Sequence, residues 1–223
     1  MRLRILNPSN KERGVQVNVT SHSTGWGKEL SPFFLPGGKT WTGDWAVNME
    51  NIWQYSKVYP IHYDELTDEP TPDWLIWAKN GWEKTRADRY PMGKGAVPKY
   101  SYWDGKKYFY LQAKEKLYLK MYWRAAKSTS AFKKLQELYE KCKTDDIDLV
   151  LVDFDAYDHH KLRLSLHDVV HHPGKKFGHG FVLALMLENL IDSTGKLKEL
   201  NFDFCHIKKM NDKSCNNRWH RIW

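Results

Sequence analysis

Hydrophobic and polar positions alternate at two places near the start of the chain, residues 1–5 and 15–20. A period of two predicts short strands, joined through the turn-prone Asn7-Pro8-Ser9-Asn10 into a small sheet. The period then changes. Glu50, Trp53, Gln54 and Lys57 recur at spacings of three and four, which puts them on one side of a helix predicted over 49–59. That stripe is a carboxylate, an aromatic ring, an amide and an ammonium, where a structural helix would carry apolar residues. It is either a solvated face or the wall of a polar pocket. The preceding stretch, 30–48, is aromatic, punctuated by Pro and Gly and poor in helix formers, which suits a segment that shapes a cavity.

Further along, an acidic, proline-marked linker at 64–73 ends on Asp73, placed to cap a helix from Trp74 to about Lys84 with Trp74, Trp77 and Ala78 on one face. Residues 86–98 mix cations with Gly and Pro, as a phosphate-cradling loop or a solvated connector would. Leu111, Leu117, Tyr118, Met121 and Tyr122, with the stem of Lys114, predict a helix over 108–122. A second helix over 130–143 turns Phe132, Leu135, Leu138 and Tyr139 inward, with Ser128 or Thr129 as its cap. Residues 148–155 form a short apolar run bounded by acids, the pattern of a buried strand that delivers carboxylates at its end. After the Gly/Lys/His loop at 171–180 comes an apolar helix over 181–191, and a basic tail at 201–223 offers Trp219 and Trp223 as anchors.

Length and composition narrow the setting. A chain of 223 residues with 41% hydrophobic content reads as a single domain, 1–223, with the strands at 1–29 and the basic tail at 191–223 as additions to it. Lys and Arg number 35 against 27 Asp and Glu, a formal charge of +8, which favours phosphate-bearing partners, nucleic acid or nucleotide. No window approaches the length of a membrane span and the N-terminus carries no signal-peptide pattern, so no membrane partner and a cytoplasmic location are expected. The cysteines Cys142, Cys205 and Cys215 are odd in number and widely spaced, which suits a reducing compartment. Zinc held by Cys205, His206 and Cys215 ranks below ordinary free cysteines, since no C-x-x-C pair is present.

Asp153, Asp155 and Asp158 leave the end of the strand, and Glu50 lies on the helix stripe. Two carboxylates converging from distant positions are what hydrolysis of a glycosidic bond requires, although each acid taken alone reads equally well as the partner of a cation. His159, His160, His167, His171, His172 and His179 crowd the same region, yet no H-E-x-x-H or similar ligand spacing fixes a metal, and none is assigned. Phosphate-loop, dinucleotide-fold and nucleophile-elbow motifs are absent from the sequence, so no cofactor is implied.

Three blocks in chain order carry a resemblance: Leu-Ser-Pro-Phe-Phe beginning at Leu30, Glu-x-x-Trp-Gln-x-x-Lys from Glu50 to Lys57, and Leu-Val-Asp-Phe-Asp-Ala-Tyr-Asp from Leu151 to Asp158. They are similar to the signature blocks of the NADAR superfamily, which includes the YbiA-like N-glycosidases, and the chain resembles a divergent member. The stretch from Phe177 to Leu190 resembles the family's closing glycine loop and Leu-Met helix. Pro32 stands where the family has Asn, and His159-His160 where it has Trp-Gly.

The resemblance implies a compact, helix-rich α+β fold with a small sheet, and an enzyme that cleaves N-glycosidic bonds. Glu50 matches the motif glutamate, Asp158 the aspartate of the third block, and Asp153 that block's glutamate. The expected catalytic set is therefore Glu50, Asp158 and Asp153, with the choice of aspartate beside Glu50 open. Phe33, Asn48, Trp53, Gln54, Lys57, Arg89, Lys94, Asp155 and His179 are the expected substrate contacts. Base release passes through an oxocarbenium-like sugar that a carboxylate stabilises while aromatic walls stack the base. The +8 charge and the abundance of Trp and Tyr favour a modified, flipped-out base in DNA, bulky, hypermodified or ADP-ribosylated, in a setting such as phage defence or counter-defence. A small ribosylated metabolite, such as a riboflavin-pathway intermediate, and a nucleic-acid-binding module without turnover are the alternatives.

Overall fold

The computed structural model describes residues 1–10 and 12–199. The basic tail with Trp219 and Trp223, and the Cys205, His206 and Cys215 group, lie outside the described residues. In chain order the strands are β1 Leu3–Leu6, β2 Val15–Asn18, β3 Pro36–Lys39, β4 Trp45–Asn48, β5 Lys57–Val58, β6 Tyr63–Asp64, β7 Glu69–Pro70, β8 Tyr100–Trp103, β9 Lys106–Tyr108 and β10 Leu149–Val152. The helices are α1 Met49–Gln54, α2 Pro72–Glu83, α3 Tyr110–Ala113, α4 Leu119–Ala126, α5 Ser130–Thr144, α6 Leu166–His171 and α7 His179–Leu187. A single π-type turn, Lys114–Tyr118, joins α3 to α4. This is a compact α+β fold in which helices enclose several small sheets.

The central sheet has the order β1-β10-β2 and is parallel throughout. β10 reads Leu-Val-Leu-Val and buries all four residues, as a strand covered on both faces must. The first two strands share this sheet, but they do not pair with each other as the sequence suggests. β10 inserts between them, aligning Leu3 and Val15 on either side of Leu149. Helix α7, apolar on every side, packs against β1 and α4 and fills the centre of the core.

Helix α1 stops five residues short of the predicted end. Asn48 caps it by accepting the amide of Asn51 at 2.8 Å, and Met49 and Ile52 face the core. After Tyr55 the backbone turns extended, because Lys57 and Val58 pair with Ser101 and Tyr100 of β8 and the Lys57 carbonyl accepts from Trp74 Nε1 at 3.0 Å. Helix α2 begins earlier than predicted, with Thr71 at its N-cap, Pro72 in the first turn and Asp73 inside the helix rather than capping it. Trp74, Ala78 and Trp82 are buried on it, while Trp77 lies over Tyr55 with ring centroids 4.6 Å apart.

Gly81 sits where α2 crosses the Tyr55 ring, and a Cβ there would lie 2.0 Å from Tyr55 Cδ1. Gly81→Ala is expected to cost about 2–3 kcal/mol through forced repacking. Thermal unfolding should show a midpoint lower by roughly 5–10 °C; an unchanged midpoint would mean that Tyr55 moves aside freely.

Candidate functional site

The carboxyl end of the parallel sheet opens into the candidate site, the place where α/β sheets commonly bind ligands. Asp153, Phe154 and Asp155 follow β10 there, and Thr20 and Ser21 follow β2. Helix α1 and the π-type turn close the sides. Two adjoining cavities result, open to solvent, with voids of about 750 and about 570 Å³. Trp53, Gln54, Arg89, Tyr118, Asp155 and Phe177 border both.

Glu50 and Gln54 stand one turn apart on α1, and Gln54 Nε2 donates to Glu50 Oε1 at 2.8 Å. Gln54 Oε1 in turn accepts from Lys57 Nζ at 2.8 Å. Lys57 joins the stripe from β5 rather than from the helix. One amide thus bridges an acid and an amine that are both buried. Burial pushes the Glu50 carboxyl above its ordinary range, against the opposing pull of the Gln54 hydrogen bond and of the Lys57 and Arg89 charges. Burial also draws the Lys57 amine down, against the charges of Glu50 and Asp155. Desolvation therefore moves the two groups toward each other, the acid upward and the amine down to about 8, a condition suited to acid–base or electrostatic work.

Aromatic rings wall this array. Trp53 meets Tyr118 edge-on at 5.0 Å, Tyr118 meets Phe177 at 6.1 Å, and Lys57 Nζ lies 5.0 Å from the centre of the Trp53 ring. Burial keeps the Tyr118 hydroxyl protonated, its pKa raised well above the usual value. Phe33 and His179 line the smaller cavity beside Glu50. Arg89 reaches across to Asp155 at 3.3 Å, and Lys176 holds the same carboxylate at 3.1 Å. This partly exposed cluster can open at little cost, since such pairs are worth under about 1 kcal/mol.

Several expected residues are engaged in contacts that hold the fold. Asp158 does not line the cleft. Its carboxylate binds Arg4 at 2.7 Å and lies 3.7 Å from Lys161, tying the loop after β10 to β1. Burial raises the Asp158 carboxyl, but the Arg4 hydrogen bond, the Lys161 amide and both cations together bring it below the usual range. Asp158→Asn should therefore lower stability by about 1–2 kcal/mol near neutrality and leave turnover intact. A depressed carboxyl stabilises the fold above its unfolded pKa, so the difference from the native chain should shrink as pH falls through the acid range. Urea unfolding at two pH values checks this, and a large loss of turnover would return Asp158 to the catalytic set.

Asp153 borders the smaller cavity, but both its oxygens are engaged. Oδ2 accepts from the Gly180 amide at 2.8 Å and faces His179 Nδ1 at 3.4 Å, while Oδ1 accepts from the Asp155 amide at 3.3 Å. It anchors the first turn of α7 and holds the imidazole, whose Nε2 donates to the Val19 carbonyl at 2.8 Å. Asn48 is the α1 cap and also donates to the Lys84 carbonyl at 3.3 Å. Lys94 is exposed and borders neither cavity, although Arg89, Tyr90, Gly93 and Ala96 of the same loop do.

Family models, curated proteins and solved structures give no match to this chain. The functional reading accordingly rests on the geometry. Among the described residues, no group of His, Cys, Asp and Glu is placed to hold a metal ion, and no helix is long and apolar enough to cross a membrane.

Lys114 is the principal site residue that the sequence conceals. It is 2% exposed, borders the larger cavity, donates from Nζ to the His172 carbonyl at 2.9 Å, and has the Tyr110 and Phe177 rings 4.8 and 5.6 Å away. Burial alone brings its amine down to about 7. It opens the π-type turn, an irregularity that recurs at functional positions in helices.

Proposed function

We propose that the chain is an N-glycosidase of the NADAR type that hydrolyses the base–sugar bond of a nucleotide. The observation that carries this reading is the buried Glu50–Gln54–Lys57 array set against the Trp53, Tyr118 and Phe177 rings. A base stacked on the rings leaves its sugar beside Glu50, whose carboxylate opposes the positive charge that develops at the anomeric carbon. Gln54 fixes the orientation of that carboxylate. Lys57 adjusts its charge through the shared amide. Thr20 and Ser31 border the same cavity and supply partners for sugar hydroxyls. Arg89 and Lys176, released from Asp155, supply the charge for a phosphate at the mouth.

A modified base within DNA is the substrate proposed first, in keeping with the +8 charge. A free ribosylated nucleotide is the second, favoured by the charged and aromatic lining of the larger cavity, where Arg89 and Lys176 stand beside Trp53, Tyr110 and Phe177. Purified protein is to be incubated with unmodified, hypermodified and ADP-ribosylated DNA and with free ribosylated nucleotides, and released base scored by mass spectrometry. Base release from one polymer or one nucleotide supports the reaction and identifies the substrate. Absence of release from all of them would overturn it.

A further inference from the structure

A separate cavity, with a void of about 800 Å³, lies on the other side of the helical stretch that carries Lys114 and Tyr118. Its rim is basic: Lys106 comes from β9, Lys116 from the π-type turn, and Lys120 and Arg124 from α4. All four are exposed, and among the described residues none of them forms an ion pair. This contrasts with Lys107, next to Lys106, which is held by Asp68 and Glu69. Among the described residues, Asp104 is the one acid bordering the cavity.

Lys116, Lys120 and Arg124 succeed one another at intervals of four, so their charges run in a line along one helix face. Opposite them, the half-buried rings of Trp103 and Tyr108 belong to the β8–β9 hairpin. Trp103 is held by an edge contact to Trp82 at 5.9 Å. A row of cations without ion-pair partners among the described residues, on the rim of a groove that aromatic rings also border, is the equipment that binds unpaired nucleotides: the cations track phosphates and the rings stack bases. A duplex keeps its base faces hidden from such rings, and an acidic polypeptide has no flat π surface to offer them. Leu117 borders this groove while Lys114 and Tyr118 border the cleft beside Glu50, so the two sites lie within about one helix diameter, roughly 10–12 Å, of each other.

We propose that this groove binds single-stranded nucleic acid, with Lys106, Lys116, Lys120 and Arg124 on successive phosphates and Trp103 and Tyr108 stacking bases. The groove holds a strand near the cleft independently of turnover, so its binding is separable from the glycosidase reading.

The test is fluorescence anisotropy of a labelled oligothymidylate of roughly 12 nucleotides, within the span that such grooves occupy, titrated with the full-length protein at several salt concentrations. Joint charge reversal, Lys116→Glu, Lys120→Glu and Arg124→Glu, should weaken binding at least about tenfold and flatten the salt dependence by roughly 0.7 in log–log slope for each phosphate that is no longer neutralised. Tyr108→Ala should weaken binding with the salt slope unchanged. A control with the same change of net charge, Lys133→Glu, Lys141→Glu and Lys143→Glu on α5, should have a much smaller effect. Equal weakening by both triple variants, or by neither, overturns the groove assignment. Tighter binding of a duplex of equal length, or of polyglutamate, overturns the choice of partner. Because Glu50→Gln leaves the groove intact, that variant should bind the oligonucleotide as the native chain does; binding without base release from any substrate would sink the glycosidase reading alone.

Discussion

Glu50→Gln is expected to lower base release by roughly 10³-fold while leaving the fold intact, the size of loss typical when a group stabilising a developing charge is removed. The amide has the carboxylate's shape, and its oxygen can still accept from Gln54 Nε2, so the 2.8 Å contact that orders this end of α1 survives. Only the charge disappears, and with it the attraction to an oxocarbenium-like sugar. Removing the carboxylate relieves its own desolvation but takes from buried Lys57 a charge that opposes the cost of its burial, so the melting temperature should change little. Single-turnover base release, measured beside thermal unfolding, separates the two effects. Residual turnover within about tenfold of the native chain would mean that Glu50 is not the group acting in the transition state.

Lys114→Met is expected to do the reverse for stability. The unfolded lysine keeps its proton up to the ordinary value of about 10.5, whereas in the fold the amine titrates at about 7. Between those values the unfolded chain binds more protons, so this residue makes stability rise with pH across that window. Below it both states are charged and the whole cost of burying an ammonium falls on the fold, on the order of 5 kcal/mol at most. Methionine has a similar length and no charge to desolvate. The variant should therefore unfold at a temperature higher by several degrees at pH 6, with the advantage fading toward pH 10 and no longer following the native chain's rise. Turnover should fall, because an amine poised between its two forms at the wall of the larger cavity is removed. Unfolding free energies at pH 6, 8 and 10 decide the matter; a variant less stable than the native chain at pH 6 would mean that Lys114 is stabilised by its surroundings rather than strained by them.

How much of this site shows in the sequence depends on whether its geometry is local. Glu50 and Gln54 are four residues apart on a helix, and their contact follows from the period alone. Lys57 comes beside Gln54 for a different reason from the one the period suggests: the helix has already ended, and β8 draws the residue back. Lys114 escapes notice because a lysine on an amphipathic helix reads as a stem lying on the core with its charge in water. Its burial comes instead from the loop that carries His172 and Phe177, some sixty residues later. The acids after β10 form a cluster in which spacing cannot say which one faces a cation, and Arg4, on a strand at the far end of the chain, decides that for Asp158.

Turn chemistry accounts for much of the rest. Asp104-Gly105, both at positive φ, makes the β8–β9 hairpin, so the predicted helix over 108–122 begins at Tyr110 instead and runs on to Ala126. Ser165 and Asp168 form a reciprocal capping pair that starts α6, an S-x-x-D signal readable in the sequence but outweighed by the density of histidine around it. The long helix over 130–143 and its Thr129 cap agree with the structure to within a residue, because both its face and its cap are local.

The β1-β10-β2 arrangement also governs when the protein can begin to work. Its middle strand is made nearly 150 residues after its first edge, so the sheet must wait for one of the longest loop closures in the chain. The two leading strands then emerge from the ribosome with their hydrogen-bonding edges open and no partner to take them. Helices α1 and α2 pack on the nearby β3–β4 hairpin and on each other, contacts that are close in sequence, but the segment that brings Asp153 and Asp155 to the cleft is seated only when β10 slides between its neighbours. The floor of the cleft is thus a late product of folding, and the newly made chain has no complete site until that insertion is finished.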